Sequence, residues 1–185
     1  MTAGGTNESD DAYRGVLGAI PYALRASDSL LFRSYVVVGS LASVLVTLII
    51  TFALIVLIAA TSNVPGGSLT LSRSFYVVIG ILVLGPLLAP ILFVARRHRR
   101  NLPVSDNYDT FLAVAGYVFL CSLYIGLVIS VPECFVLDGQ LTCRDPPTGL
   151  FAPVISLLYA LPPLTSLLPP LLAALLIFAV HRRLR

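Results

Sequence analysis

Four uninterrupted apolar runs, at about residues 35–60, 75–95, 111–131 and 150–181, limit what this chain can become more than any motif in it. A helix needs roughly 20 apolar residues to cross ~30 Å of hydrocarbon, and each run is long enough. Lipid offers the backbone no hydrogen bonds, so only helices and closed barrels cross it. Runs this continuous lack the in–out alternation of barrel strands. Charged residues make up only 11% of the chain and hydrophobic residues 57%, too apolar a balance for one soluble core. The expected fold class is therefore an all-α integral membrane protein with four transmembrane helices spanning residues 29–183.

The connecting segments set the expected orientation. All twelve basic residues are arginine. Arg14, Arg25 and Arg33 precede or open the first run, Arg96, Arg97, Arg99 and Arg100 follow the second, and Arg182, Arg183 and Arg185 close the chain. Segments 61–74 and 132–149 hold only Arg73 and Arg144. Ten arginines on alternate sides against two place both termini and the second connection in the cytoplasm of a cell membrane, with segments 61–74 and 132–149 outside. Arg96, Arg97, Arg99, Arg100, Arg182 and Arg183 are then expected to contact inner-leaflet lipid, the first partner the sequence implies. A net charge of +3, with its densest cluster directly at a membrane face, excludes nucleic acid as a partner. Tyr35, Phe75, Tyr76, Phe93, Tyr108, Phe111, Phe151 and Phe178 lie near run ends, where an interfacial aromatic belt is expected.

That orientation puts "CFVLDGQLTC" in an oxidising compartment. Asp138-Gly139 is a strong two-residue signal for a type I′ hairpin turn, because both positions tolerate positive φ. With that turn Leu137 faces Gln140, Val136 faces Leu141, Phe135 faces Thr142 and Cys134 faces Cys143. The cysteines fall on a non-hydrogen-bonded pair, ~4.5–5.5 Å between Cα atoms, inside the range a disulfide needs. A Cys134–Cys143 bridge closing a short β-hairpin in the second outer loop is predicted, and its role is to staple that loop. A redox role would require a partner pair such as the Cys-x-x-Cys of membrane disulfide oxidases, which this sequence lacks. Cys121, inside the third run, reads as a small packing residue.

Within the runs, small and weakly polar residues recur at helical spacing. Gly39, Ser43, Thr47 and Thr51 line one face of the first span, and Ser122, Gly126 and Ser130 one face of the third. Such faces let helices approach closely. They serve packing inside this bundle, contact with a membrane-protein partner or a second copy, or a groove for lipid or ligand. Proline is expected to interrupt the other two spans: Pro86 and Pro90 in the second, and Pro162, Pro163, Pro169 and Pro170 in the fourth. The fourth run reads as a short outer piece, a break near 162–163, and a spanning helix kinked at Pro169-Pro170.

Residues 1–12 read as a disordered acidic tail, without the basic start and apolar core of a signal peptide. Residues 13–28 read as a cytoplasmic interfacial helix with Tyr13, Val16, Leu17, Ile20 and Leu24 on its apolar face, loosened by Pro21, and Ser27 or Asp28 capping the next helix. The rhythm of "YRGVLGAIPYALRASDSLLFRSYVVVG", residues 13–39, resembles uncharacterised small multi-pass membrane proteins of halophilic archaea. The resemblance implies a membrane setting and no particular activity.

No set of residues reads as catalytic, and no cofactor or metal is implied. His98 and His181 each sit among arginines without a ligand set. Asp106, Asp109 and His98 are too sparse for acid–base chemistry. The sequence therefore points to a non-enzymatic structural, accessory or interaction subunit. The alternative is a small transporter or lipid-handling protein built around the broken fourth span.

Overall fold

The computed structural model describes residues 15–61, 67–100, 107–137 and 139–184. The acidic segment 1–12, Arg14, Asp106, Asp138 and Arg185 lie outside the described residues. In chain order the elements are α1 (Gly15–Ala26), α2 (Leu30–Ala60), α3 (Gly67–Arg99), α4 (Tyr108–Ser130), β1 (Cys134–Leu137), β2 (Gln140–Cys143), α5 (Ala152–Tyr159), a 3₁₀ turn (Pro163–Leu167) and α6 (Leu168–Arg183). Among the described residues, four helical segments are long and apolar enough to cross a membrane: Leu30–Ala60, Arg73–Arg99, Tyr108–Ser130 and Pro163–Arg183.

The helices outrun their apolar cores. α2 starts at Leu30, capped by Ser29, whose Oγ accepts from the Phe32 amide at 3.3 Å. The cap is thus Ser29 rather than Ser27 or Asp28, because Ser27 is engaged elsewhere. α3 begins at Gly67, so much of segment 61–74 is helix and not loop, and it carries the arginine cluster as its last turn. Basic side chains at a helix C-terminus complement the exposed carbonyls there.

Proline acts differently from expectation at two of three places. α3 runs without a break through Pro86 and Pro90. Each ring removes one backbone donor, but neighbouring groups in a bundle re-satisfy such sites. Separately, the Tyr35 hydroxyl of α2 donates to the Leu87 carbonyl between the two prolines at 2.7 Å, tying α2 to α3. Pro169 and Pro170 do not kink α6; they lie in its first turn, where amides have no intrahelical partner and proline is tolerated. Pro162-Pro163 does break the fourth span, with Pro162 extended at φ −59, ψ 139 between α5 and the 3₁₀ turn.

The core is concentrated toward the arginine-rich end. One buried cluster there joins Ala19 and Ala23 of α1, Phe32 and Tyr35 of α2, Val94 of α3 and Leu112 of α4. A second joins Leu87, Phe119, Ala173 and Ile177 across α3, α4 and α6. α1 therefore packs its alanine stripe onto the bundle, with Ile20 and Leu24 half-buried against the same cluster rather than lying free on lipid. Small side chains four residues apart permit that close approach.

Tyr35 and Tyr108, read from sequence as interfacial, are fully buried. The Tyr35 ring lies against Gly116 so closely that a Cβ there would overlap it. Lower down, a Cβ on Gly126 would fall 2.6 Å from the Ser166 carbonyl oxygen of the 3₁₀ turn. Away from these contacts, α2 turns Leu41, Leu45, Phe52 and Val56 outward.

Candidate functional site: a polar clasp at the arginine-rich end

Two consecutive residues at the start of α4 organise the polar chemistry of the bundle. Asp109 sits in the first turn, where a carboxylate faces the positive end of the helix dipole. It is 7% exposed. Its Oδ2 accepts from Ser27 Oγ at 2.5 Å and pairs with His98 Nε2 at 3.0 Å. Its Oδ1 is buried with no hydrogen-bond partner among the described residues. Ser27 Oγ also accepts from the Ser29 amide at 3.3 Å, and the Ser29 and Thr110 hydroxyls meet at 3.0 Å. The joint between α1 and α2 is thereby clipped to the first turn of α4 and the last turn of α3.

Tyr108 makes the companion tie. Its hydroxyl lies 2.6 Å from His181 Nδ1 of α6, and the His181 ring stacks on Phe93 of α3 with centroids 4.0 Å apart. Arg97 covers the Tyr108 ring at 4.6 Å and donates from Nη1 to the Leu184 carbonyl at 2.9 Å. Arg97 is 8% exposed, which corrects its reading as a lipid contact. A guanidinium joins a π face to an unpaired helix-end carbonyl, two contacts that suit arginine's flat, multi-donor head. Arg96, Arg99, Arg100, Arg182 and Arg183 remain exposed.

A nucleophilic serine needs its hydroxyl bonded to a base. Here Ser27 and His98 converge instead on one carboxylate oxygen, which makes Asp109 the hub of a tie. Among the described residues no group of three or more His, Cys, Asp or Glu is placed to hold a metal ion.

The opposite end has its own fastening. β1 and β2 pair antiparallel in the expected register, Cys134 to Cys143 through Leu137 to Gln140, and the Cys134–Cys143 disulfide closes them. Gly139 has φ +79. The bridged Cα atoms are 4.0 Å apart, closer than the spacing expected for an unbridged pair. Arg144 extends the hairpin by one pair, its amide donating to the Glu133 carbonyl at 2.9 Å. Its Nη1 donates to the Val131 carbonyl at the end of α4 at 2.8 Å, and its guanidinium lies 3.9 Å above the Tyr159 ring of α5. Continuing the hairpin register outward from the cysteines places Glu133 opposite Arg144, and that was the sequence signal for this anchor.

The small-residue faces divide. Gly39 and Ser43 are buried, Thr47 and Thr51 are exposed, and each hydroxyl donates to the carbonyl four residues back in its own helix at 2.7 Å. Ser122 and Gly126 are buried against the fourth span, while Ser130 is exposed at the end of α4. Cys121 is exposed rather than packed inside.

Four membrane-length apolar helices tied at both ends define the class of multi-pass helical membrane proteins. Residues 1–185 match a family described as a domain of unknown function, DUF8056, and the chain belongs to that family. No curated protein and no solved structure matches it.

Proposed function

We propose that this chain is a four-span cell-membrane protein with its arginine-rich end in the cytoplasm and its disulfide hairpin outside, acting as a non-enzymatic structural, accessory or interaction subunit. The observation that carries the reading is the Asp109 hub: the groups that could have formed a reactive centre, Ser27 and His98, instead lock three helix ends together. The orientation is supported by how the arginines are used. At the hairpin end Arg144 is held by backbone carbonyls and Arg73 donates to Thr61 Oγ1 at 2.8 Å. At the other end Arg96, Arg99, Arg100, Arg182 and Arg183 are exposed at a face where anionic lipid headgroups would lie.

The middle of the bundle favours this role over transport. The Tyr35 ring fills the space between α2, α3 and α4, and Gly126 lies against the 3₁₀ turn just beyond the Pro162-Pro163 break. An alternating-access carrier needs polar space near such a break. The test is cross-linking in the native membrane followed by purification in mild detergent. A defined heteromeric or dimeric product is expected; a lone monomer under every cross-linking condition contradicts the proposal.

A further inference from the structure

Between α2, α4 and α6 runs an open groove of about 500 Å³ whose walls include Leu31, Val118, Cys121, Leu172 and Leu176. Its walls are almost wholly hydrocarbon, which distinguishes it from the more polar hollow beneath the hairpin around Arg144 and Asp145. On α4 the lining reaches from Val114 to Ile125, twelve residues and ~16 Å of helix, the depth of one leaflet. A bilayer leaves no such furrow empty, so the question is which molecule it selects.

The end of the groove answers. Leu172 and Leu176 face it from α6, and seven residues beyond Leu176 the same helical face carries Arg183, which is exposed. Arg182, Arg96, Arg99 and Arg100 are also exposed at this end, so the local field is positive and opposes a headgroup carrying its own cation. Partway down, Tyr117 lines the groove, and its hydroxyl lies 2.9 Å from that of the exposed Ser34. That pair is a polar group within an otherwise apolar furrow, able to hydrogen-bond a lipid carbonyl. From the arginine-rich end inward, exposed cations give way to an apolar furrow, the order of phosphate and tail.

We infer that this groove seats one acyl chain of an anionic phospholipid from the leaflet on the arginine-rich side, with its phosphate at Arg183. The site rests on the chain crossing the membrane but not on which compartment the arginines face, nor on the absence of an enzymatic activity.

The test uses the full chain in phosphatidylcholine vesicles containing a minority of phosphatidylglycerol with a photoreactive group on its acyl chain, followed by peptide mapping of the cross-links. Labelling is expected to concentrate in segments 114–125 and 169–176, to saturate as phosphatidylglycerol is added, and to fall on dilution with unlabelled phosphatidylglycerol. Arg183→Gln should weaken the apparent affinity for that labelling roughly fivefold, the effect of one arginine at an anionic surface. Labelling of the exposed α2 face around Leu41 and Phe52 should not change. Cys121→Phe, which fills the furrow from an exposed position, should abolish it, with retention of the Cys134–Cys143 bridge and of heat resistance confirming the fold. Cross-links spread over all apolar faces in proportion to exposure, or equal saturable labelling by photoreactive phosphatidylcholine, would overturn the assignment. Neither result would bear on partner capture, which tests the accessory role.

Discussion

Replacing Gly116 by alanine should damage the bundle far more than its single methyl group suggests. The Tyr35 ring already occupies the position of the added carbon, and it has little room to retreat because its hydroxyl is tied to the Leu87 carbonyl at 2.7 Å and its edge meets Tyr117 at 5.3 Å. Overpacking a filled core costs about 1–3 kcal/mol. If the ring swings away, the bond to Leu87 is lost as well, worth about 0.6 kcal/mol for a hydrogen bond inside a membrane protein. The expected total is about 2–3 kcal/mol, read as reversible unfolding in mixed micelles with rising denaturing detergent. Tyr35→Phe alone should cost only the hydrogen bond. Tyr35→Ala should cost about 3–5 kcal/mol by leaving a cavity. In the double variant the new methyl enters that cavity, so the combined loss should fall short of the sum by more than about 1 kcal/mol. A neutral Gly116→Ala, or additivity within about 0.5 kcal/mol, would refute the notch-and-ring account.

Other expectations follow from the two ends of the bundle. Asp109→Ala strands the Ser27 hydroxyl and His98 together, so it should destabilise the protein by about 1–3 kcal/mol and expose the α1–α2 joint to protease. Arg97→Lys keeps the charge but loses the flat stacking surface over Tyr108; lower thermal resistance is expected, with α1 still protected from protease. Reducing the Cys134–Cys143 bridge should release about 2.7 kcal/mol of loop constraint, estimated from chain entropy for a ten-residue loop. Because the hairpin is exposed, proteolysis should register that loss while the bundle's unfolding midpoint stays put. Arg144→Ala should free α5, seen as faster hydrogen exchange across Ala152–Tyr159.

What could be read in advance was whatever local sequence dictates. Apolar runs long enough for lipid mark the four spans, and Asp138-Gly139 counts the hairpin register outward to the cysteines without reference to the rest of the chain. Contacts between distant segments stayed hidden. Proline spacing shows a lost donor at Pro86 and Pro90 but not that α3 continues through both. An arginine in RRHRR looks equivalent to its neighbours until helix phase turns Arg97 inward onto Tyr108. His98 and Asp109 flank one short connection, so their meeting at one bundle end was within reach of the sequence. That Ser27, 82 residues from Asp109, would complete the hub was not.

The most direct test asks which face of the membrane holds the hairpin. Intact cells are treated with a membrane-impermeant reductant and then an impermeant maleimide, and labels are counted by mass. The account expects two labels, at Cys134 and Cys143, only after reduction, and none on Cys121 within its span. Failure to label until the membrane is opened would place the hairpin inside and contradict the orientation on which the proposed role depends.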